Sequence, residues 1–122
     1  MNILIVDDDQ MTVAALAKKL EEKKHKVIKS FDGVEALKLV TNEKVDLIIS
    51  DVMMPCISGF TLLTMLKNFY FSKVPLILMS SYGEQNFVDK SYNLGAYTFI
   101  TKPINYEELN KKIENIASQD IN

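Results

Sequence analysis

The chain has 122 residues and a formal net charge of −2, and 48% of its residues are hydrophobic. These values fit one domain with a buried core and a radius of gyration of roughly 14 Å, and they exclude wholesale disorder. All 14 basic side chains are lysines, and the lack of arginine, the residue best suited to bidentate contacts with guanine or phosphate, argues against direct nucleic-acid binding.

Short apolar runs, typical of buried strands, alternate along the chain with amphipathic stretches, typical of helices. The predicted strands are residues 2–6, 26–30, 45–50, 74–79 and 97–101. The predicted helices carry apolar side chains at helical spacing and cover residues 13–20, 33–40, 59–69, 84–93 and 109–116, and Asp32-Gly33 opens the second of them. Because the apolar strands read as parallel and covered on both faces, the pattern predicts one doubly wound α/β domain.

Proline and glycine residues separate these elements. Pro75 lies near the start of the fourth strand, where a missing N–H does least harm. Pro55 opens a turn after the third strand, and Gly59 lets the chain close into the third helix. Gly95 follows the fourth helix, where we expect a left-handed cap.

Polar side chains follow four of the five predicted strands. They are Asp7 and Asp8 after the first strand, Asp51 after the third, Ser80 after the fourth and Lys102 after the fifth. The carboxyl ends of parallel strands meet at one edge of a sheet, which is where open α/β sheets bind their ligands. We therefore expect these side chains to lie close together.

Such a cluster implies a metal ion. Three carboxylates within ~5 Å of each other would repel by roughly 3 kcal/mol per pair at an effective dielectric constant near 20. Without compensation at least one would keep its proton. A hard divalent cation removes the repulsion, and an acidic all-oxygen site suits Mg²⁺, with Mn²⁺ as a substitute. With Asp51 as nucleophile, Lys102 as mobile cation and Ser80 as hydroxyl donor, these are the parts of a phosphoryl-transfer site.

At this point the sequence resembles the receiver domains of two-component response regulators, of the chemotaxis-regulator type, over essentially its whole length. The matching segments are VDDD at 6–9, DVMMP at 51–55 with Gly59, MSS at 79–81 and KP at 102–103. The resemblance implies a flavodoxin-like (βα)5 domain over residues 1–122. Its five-stranded parallel sheet would have the strand order 2-1-3-4-5, with helices on both faces.

The resemblance also implies the role of each site residue. Asp51 would accept a phosphoryl group from a phosphohistidine of a histidine kinase or histidine phosphotransfer protein. Asp8, Asp51 and the backbone carbonyl of Met53 would bind Mg²⁺, and Asp7 would assist through water. Lys102 would contact the phosphoryl group directly.

A conformational switch is implied as well. Ser80 would follow the phosphoryl group inward, and Phe99 takes the place of an aromatic residue that repacks on activation. Because Phe99 lacks the hydroxyl of the commoner tyrosine, its movement would act through packing alone. The bond between Lys102 and Pro103 would be a cis peptide, as in the family.

A downstream partner would read the face formed by the fourth helix, fifth strand and fifth helix. That face would include residues 84–93 and exposed Asn110, Lys111 and Glu114. Tyr97-Thr98 stands where receivers that dimerise for transcription carry a pair of aspartates, so we expect a monomer or weak dimer. The tail at 118–122 is short and polar, and we expect no output domain within this chain.

Three other functions remain to be weighed. A Mg²⁺-dependent phosphohydrolase of the haloacid dehalogenase type needs a second aspartate two residues after the nucleophile, and Met53 stands there. A flavodoxin-like cofactor binder needs a phosphate-cradling loop where the three aspartates would repel an anion. A pseudo-receiver scaffold would not need the full set of chemical residues. We expect no enzyme, beyond catalysis of the transfer of the phosphoryl group to Asp51 and of its own slow dephosphorylation. Dephosphorylation would be slow because Met53 would shield the aspartyl phosphate from water.

Membrane insertion and secretion are not indicated. The apolar runs are too short to span a bilayer, and no basic region precedes the acidic residues that begin at Asp7. Cys56 is the single cysteine, so no intramolecular disulfide is possible. These features favour the reducing cytoplasm.

Overall fold

The structure, a computed structural model, describes residues 1–119, so residues 120–122 of the predicted polar tail lie outside the described part. Strands and helices alternate along it. The strands are β1 (Asn2–Val6), β2 (Lys26–Ser30), β3 (Leu47–Asp51), β4 (Leu76–Ser80) and β5 (Thr98–Thr101). The helices are α1 (Gln10–Glu22), α2 (Gly33–Asn42), α3 (Gly59–Asn68), α4 (Gln85–Asn93) and α5 (Tyr106–Gln119).

The strands form one parallel sheet in the order β2-β1-β3-β4-β5. The predicted fold class and strand order are therefore confirmed. In this register Asp51 pairs with Met79, and Ser80 pairs with Thr101. The carboxyl ends of β1, β3, β4 and β5 thus lie side by side at one edge.

Alternation along the strands divides the core into two layers, as expected for a sheet covered on both faces. Leu4, Ile48 and Leu78 face a layer that contains residues of α2, α3 and α4. Ile5, Ile49 and Ile77 face a layer that contains residues of α1 and α5. The sheet is therefore held between helices, and its carboxyl edge is left open for a site.

Some predicted boundaries are corrected. β3 and β4 each begin two residues later and end one residue later than predicted, at Asp51 and Ser80. Pro75 has no N–H to donate to a neighbouring strand, so the regular hydrogen bonding of β4 begins after it, at Leu76. At the other end, the backbone N–H of Val52 donates to the carbonyl of Met79, which carries the ladder past the predicted end. Asp51 and Ser80 are therefore the last strand residues.

The helix predictions hold with one correction. The second helix begins at Gly33 under the side-chain cap of Asp32, as predicted. Its buried residues Gly33, Ala36 and Leu37 follow i, i+3, i+4 spacing, whereas Val34, about 100° around the helix from Gly33, is exposed. Gly95 has a φ of +98° just after α4, as its predicted cap role requires. Within the described residues no helix is both long enough and apolar enough to cross a membrane.

Candidate functional site

Lys102 joins two of the predicted acids across the sheet edge. Its Nζ donates a hydrogen bond of 2.8 Å to Oδ2 of Asp7 and lies 3.3 Å from Oδ1 of Asp51. These residues come from the ends of β1, β3 and β5 and are up to 95 positions apart in the chain. The sequence prediction that they meet is confirmed.

Asp7 is the most firmly held residue of the site, and its side chain is fully buried. Its backbone N–H donates to the carbonyl of Ser30, and its Oδ1 accepts a hydrogen bond of 3.0 Å from the N–H of Asp9. With Lys102 on Oδ2, both carboxylate oxygens have a donor. Burying a carboxylate is costly unless hydrogen-bond donors such as these replace the water it loses.

Asp8 is exposed and completes an acidic cluster with Asp7 and Asp51. One carboxylate oxygen of each lies within 4.8 Å of the others. Asp9 has a different use: it accepts hydrogen bonds from the N–H of Met11 and the hydroxyl of Thr12 and so caps α1. The run of aspartates thus divides between the site and the helix that follows it.

Burial and repulsion act together on Asp51, which is 6% exposed. Burial, together with the charges of Asp7 and Asp8, raises the pKa of its carboxyl to about 6 against the opposing effect of Lys102. Burial lowers the pKa of Lys102, but its hydrogen bond to Asp7 and the charges of Asp51 and Asp7 outweigh that effect and raise it. The amine is therefore protonated at neutral pH, and a single cation faces several carboxylates.

This cluster fits a hard divalent cation. Carboxylate oxygens are the donors that Mg²⁺ prefers, and two of the three acids lie in a buried site where their repulsion is strongest. A bound cation would remove the repulsion that raises the pKa of Asp51. The ligand role of the Met53 carbonyl and the water-mediated role of Asp7 remain predictions.

Gly59, the first residue of α3, lies directly against the backbone of Asp51. A Cβ atom at this position would lie 2.3 Å from the carbonyl oxygen of Asp51. The N–H of Gly59 donates to the carbonyl of Val52 at 2.8 Å, and Ser58 caps α3 by accepting from the N–H of Thr61. Gly59 therefore has the structural role predicted for it.

The two prolines predicted to be structural lie in the loops that follow β3 and β5. The carbonyl of Pro55 accepts a hydrogen bond from the N–H of Ile57 within the turn after β3. The peptide bond between Lys102 and Pro103 is cis, as predicted.

Ser80 and Phe99, the predicted switch residues, both lie inside the protein. Ser80 is fully buried, and its Oγ accepts a hydrogen bond of 3.1 Å from the N–H of Tyr82. Phe99 is 9% exposed and packs in the core layer that faces α3 and α4. Their movement on activation remains a prediction.

Sequence reasoning missed two residues that support the site. Ser50 is fully buried and its hydroxyl donates to the carbonyl of Asp51 at 3.0 Å. A serine inside an otherwise apolar strand was a visible signal for such a contact. The backbone N–H of Tyr82 donates a hydrogen bond to the hydroxyl of Ser80. The ring of Tyr82 stacks on Phe87 of α4, with ring centroids 6.3 Å apart. Nothing in the sequence distinguishes this tyrosine from an ordinary loop residue.

The predicted partner face needs a correction on α5. Asn110 is partly buried, not exposed, and with Glu114 it lines a cavity beside Lys23 and His25 at the end of α1. The reason is that α1 and α5 cover the same face of the sheet, so this side of α5 faces α1. Lys111 and Glu114 are exposed as predicted.

A comparison with protein families now adds to this geometry. The model of the response regulator receiver domain matches residues 3–114. The chain belongs to this family. That assignment agrees with the sequence motifs and with the site in which they meet.

Individual relatives agree with the assignment. The chain is 36% identical to the response regulator GtcR of Aneurinibacillus migulanus over 92% of this chain and 46% of that protein. It is 30% identical to the sporulation initiation phosphotransferase F of Bacillus subtilis over 92% of this chain and 90% of that protein. The receiver domain of the Francisella response regulator 1452 matches with a TM-score of 0.91 and 28% identity, covering 98% of both chains. The chain spans about half the length of several other curated relatives.

Proposed function

We propose that this receiver domain takes a phosphoryl group from a phosphohistidine onto Asp51 in a Mg²⁺-dependent reaction and thereby switches its surface for partner binding. The observation that carries the proposal is the Asp51 carboxylate, held within 3.3 Å of the Lys102 amine inside a cluster of three aspartates. The donor would be a histidine kinase or a histidine phosphotransfer protein. The similarity to a sporulation phosphotransferase supports this chemistry.

The proposed step moves one phosphoryl group between two side chains. A carboxylate oxygen of Asp51 forms a bond to phosphorus while the bond from phosphorus to the donor imidazole nitrogen breaks. The imidazole leaves with the electron pair of that bond and takes up a proton. Lys102 is placed to donate hydrogen bonds to the phosphoryl oxygens, because its amine already lies beside the acceptor oxygen.

Asp8 and Asp51, with the carbonyl of Met53, would hold Mg²⁺ directly, and Asp7 would hold it through water. When bound, this ion supplies charge that balances the incoming phosphoryl oxygens. Asp7 has a second task, since its hydrogen bond orients Lys102 toward Asp51. Lys102 alone does not balance the charge of three carboxylates. The cluster would therefore repel an anionic donor, and we expect the protein without a metal ion to react slowly.

The output would begin at Ser80. Its hydroxyl lies at the end of β4 and would turn toward a phosphoryl group on Asp51, while Phe99 and α4 repack. The downstream partner would then contact the face of α4, β5 and α5. The domain would not turn over any substrate besides the phosphoryl group that it carries itself. Met53 would slow the hydrolysis of that group.

Intact mass spectrometry after incubation with Mg²⁺ and phosphoramidate tests the proposal. We expect a mass gain of one phosphoryl group that is absent in Asp51→Asn and in samples with EDTA. Glu43→Gln removes an exposed carboxylate at the start of the loop before β3, at the opposite edge of the sheet, and should be phosphorylated normally. Phosphorylation that persists in Asp51→Asn, or none under any condition, would overturn the proposal.

A further inference from the structure

Two cavities of about 340 and 360 Å³ lie between α3 and α4 and share Phe60 and Lys90. Together they form what we call the α3–α4 groove, which runs from Met53 beside the site to Phe69 after the end of α3. We propose that this groove is a docking surface for an amphipathic helix of a partner protein that carries acidic side chains beside its apolar face.

The groove offers apolar surface to such a partner. Met53 at one end is 54% exposed, and Phe69 at the other end is 73% exposed. Tyr70 and Phe71 follow Phe69, and we call these three residues the aromatic turn. Phe71 is 80% exposed. Contiguous exposed apolar side chains on a soluble domain mark interaction sites, and aromatic residues supply much of the binding energy of interfaces.

The charge in the groove selects the sign of the partner. Lys90 places its Nζ 4.8 Å from the ring centroid of Phe60, over the shared wall of the two cavities. None of the residues that line either cavity is acidic. The alkyl chain of Lys67 lies against Gly95 near the far end, within 2.7 Å of where a Cβ would be. The groove is therefore positive although the chain as a whole carries −2.

These features favour an acidic helix over a second copy of this chain. In a symmetric dimer built on this groove, Lys90 of each copy would approach its own symmetry mate, which like charges disfavour. A groove between two helices suits a third helix whose apolar residues recur at i, i+3, i+4 and i+7. Acidic residues beside that apolar face would pair with Lys90 and Lys67.

The groove shares α4 with the partner face assigned above to α4, β5 and α5, but it lies on the α3 side of that helix. On its β5 side, α4 is tied by a hydrogen bond of 3.1 Å between the hydroxyls of Tyr92 and Thr98. On its α3 side, Phe87 stacks on Phe60 with ring centroids 5.7 Å apart. The helix α4 thus presents one surface toward β5 and another toward α3, and the groove uses the surface toward α3.

The test is fluorescence anisotropy with a labelled helical peptide that has leucines at the four stated positions and glutamates beside them. A matched peptide carries lysine in place of each glutamate. We expect the acidic peptide to bind the full chain at least about tenfold more tightly than the basic one, a difference of about 1.4 kcal/mol. Amide NMR shifts should map the contact to α3, α4 and the aromatic turn.

Three variants complete the test. Lys90→Glu and Phe69→Ser each change an exposed side chain and should weaken binding by about tenfold or more, whereas Lys111→Glu on α5 should not. Should circular dichroism show that one groove variant does not fold, Lys67→Glu takes its place. Equal binding of the two peptides, no binding, or shifts confined to β5 and α5 would overturn the proposal. So would a concentration-dependent dimer that Phe69→Ser abolishes, because the occupant would then be a second copy.

Discussion

The carboxylate of Asp51 opposes folding in the metal-free protein, and we predict that Asp51→Asn stabilises it at neutral pH. The rise of the Asp51 pKa from 3.8 to about 6 corresponds to roughly 3 kcal/mol, at about 1.36 kcal/mol per pKa unit. Asparagine keeps the shape of the side chain and removes the charge that burial and Asp7 disfavour. The opposing attraction of Lys102 is already contained in this net shift. Because water at the edge of the sheet screens part of the penalty, we expect a gain of roughly 1–3 kcal/mol.

The pH dependence of this gain follows from the direction of the shift. An acid with a higher pKa in the folded than in the unfolded protein holds its proton more tightly when folded. Raising the pH from about 4 to about 6 therefore favours unfolding, and the full penalty is present above that range. The advantage of Asp51→Asn should be largest near pH 8, roughly half as large near pH 5 and small near pH 4.

Urea unfolding followed by circular dichroism, with EDTA present at about pH 8 and about pH 5, measures this gain. Glu43→Gln, which removes an exposed carboxylate outside the cluster, should change stability little at either pH. Adding Mg²⁺ should stabilise the parent chain more than Asp51→Asn. An Asn variant that is less stable than the parent near pH 8, or equally stabilised at both pH values, would refute the electrostatic reasoning.

Three further predictions concern neighbouring residues. Gly59→Ala places a Cβ atom against the carbonyl of Asp51, so it should cost about 1–3 kcal/mol in urea unfolding and slow phosphorylation by phosphoramidate; unchanged values for both would contradict the close approach. Lys102→Met leaves the buried carboxylate of Asp7 without its cation and should cost about 3 kcal/mol, part of which Mg²⁺ should restore. A variant as stable as the parent would show that Asp7 is not held in this way. Met53→Asn should speed loss of the phosphoryl group, measured as the half-life of the phosphorylated mass; a parent half-life of seconds would show that Met53 gives no protection.

The site could be predicted from the sequence because each chemical residue lies at a strand end. Parallel strands bring such ends to one edge whatever lies between them, so Asp7, Asp51 and Lys102 meet although the chain separates them widely. The predicted strand boundaries were less accurate, because a strand begins and ends where its backbone can form hydrogen bonds with the neighbouring strand. Pro75 shows this directly, since its missing N–H delays β4.

What the sequence did not reveal depends on packing between distant elements. Asn110 was predicted to be exposed along α5, and only the position of α1 shows that it is partly buried beside Lys23. The contact between Ser80 and Tyr82 likewise depends on the path of a loop. Periodicity identifies the face that a helix buries against the sheet, but it carries no information on which neighbour lies beside that helix.

The most direct test of the central claim is to locate the phosphoryl group. Reduction of the phosphorylated protein with borohydride converts an aspartyl phosphate to homoserine, which tandem mass spectrometry of a proteolytic digest assigns to a position. We expect homoserine at position 51 and nowhere else in the chain. Homoserine at another aspartate, or a phosphoryl group on a serine, threonine or histidine with Asp51 unmodified, would contradict it.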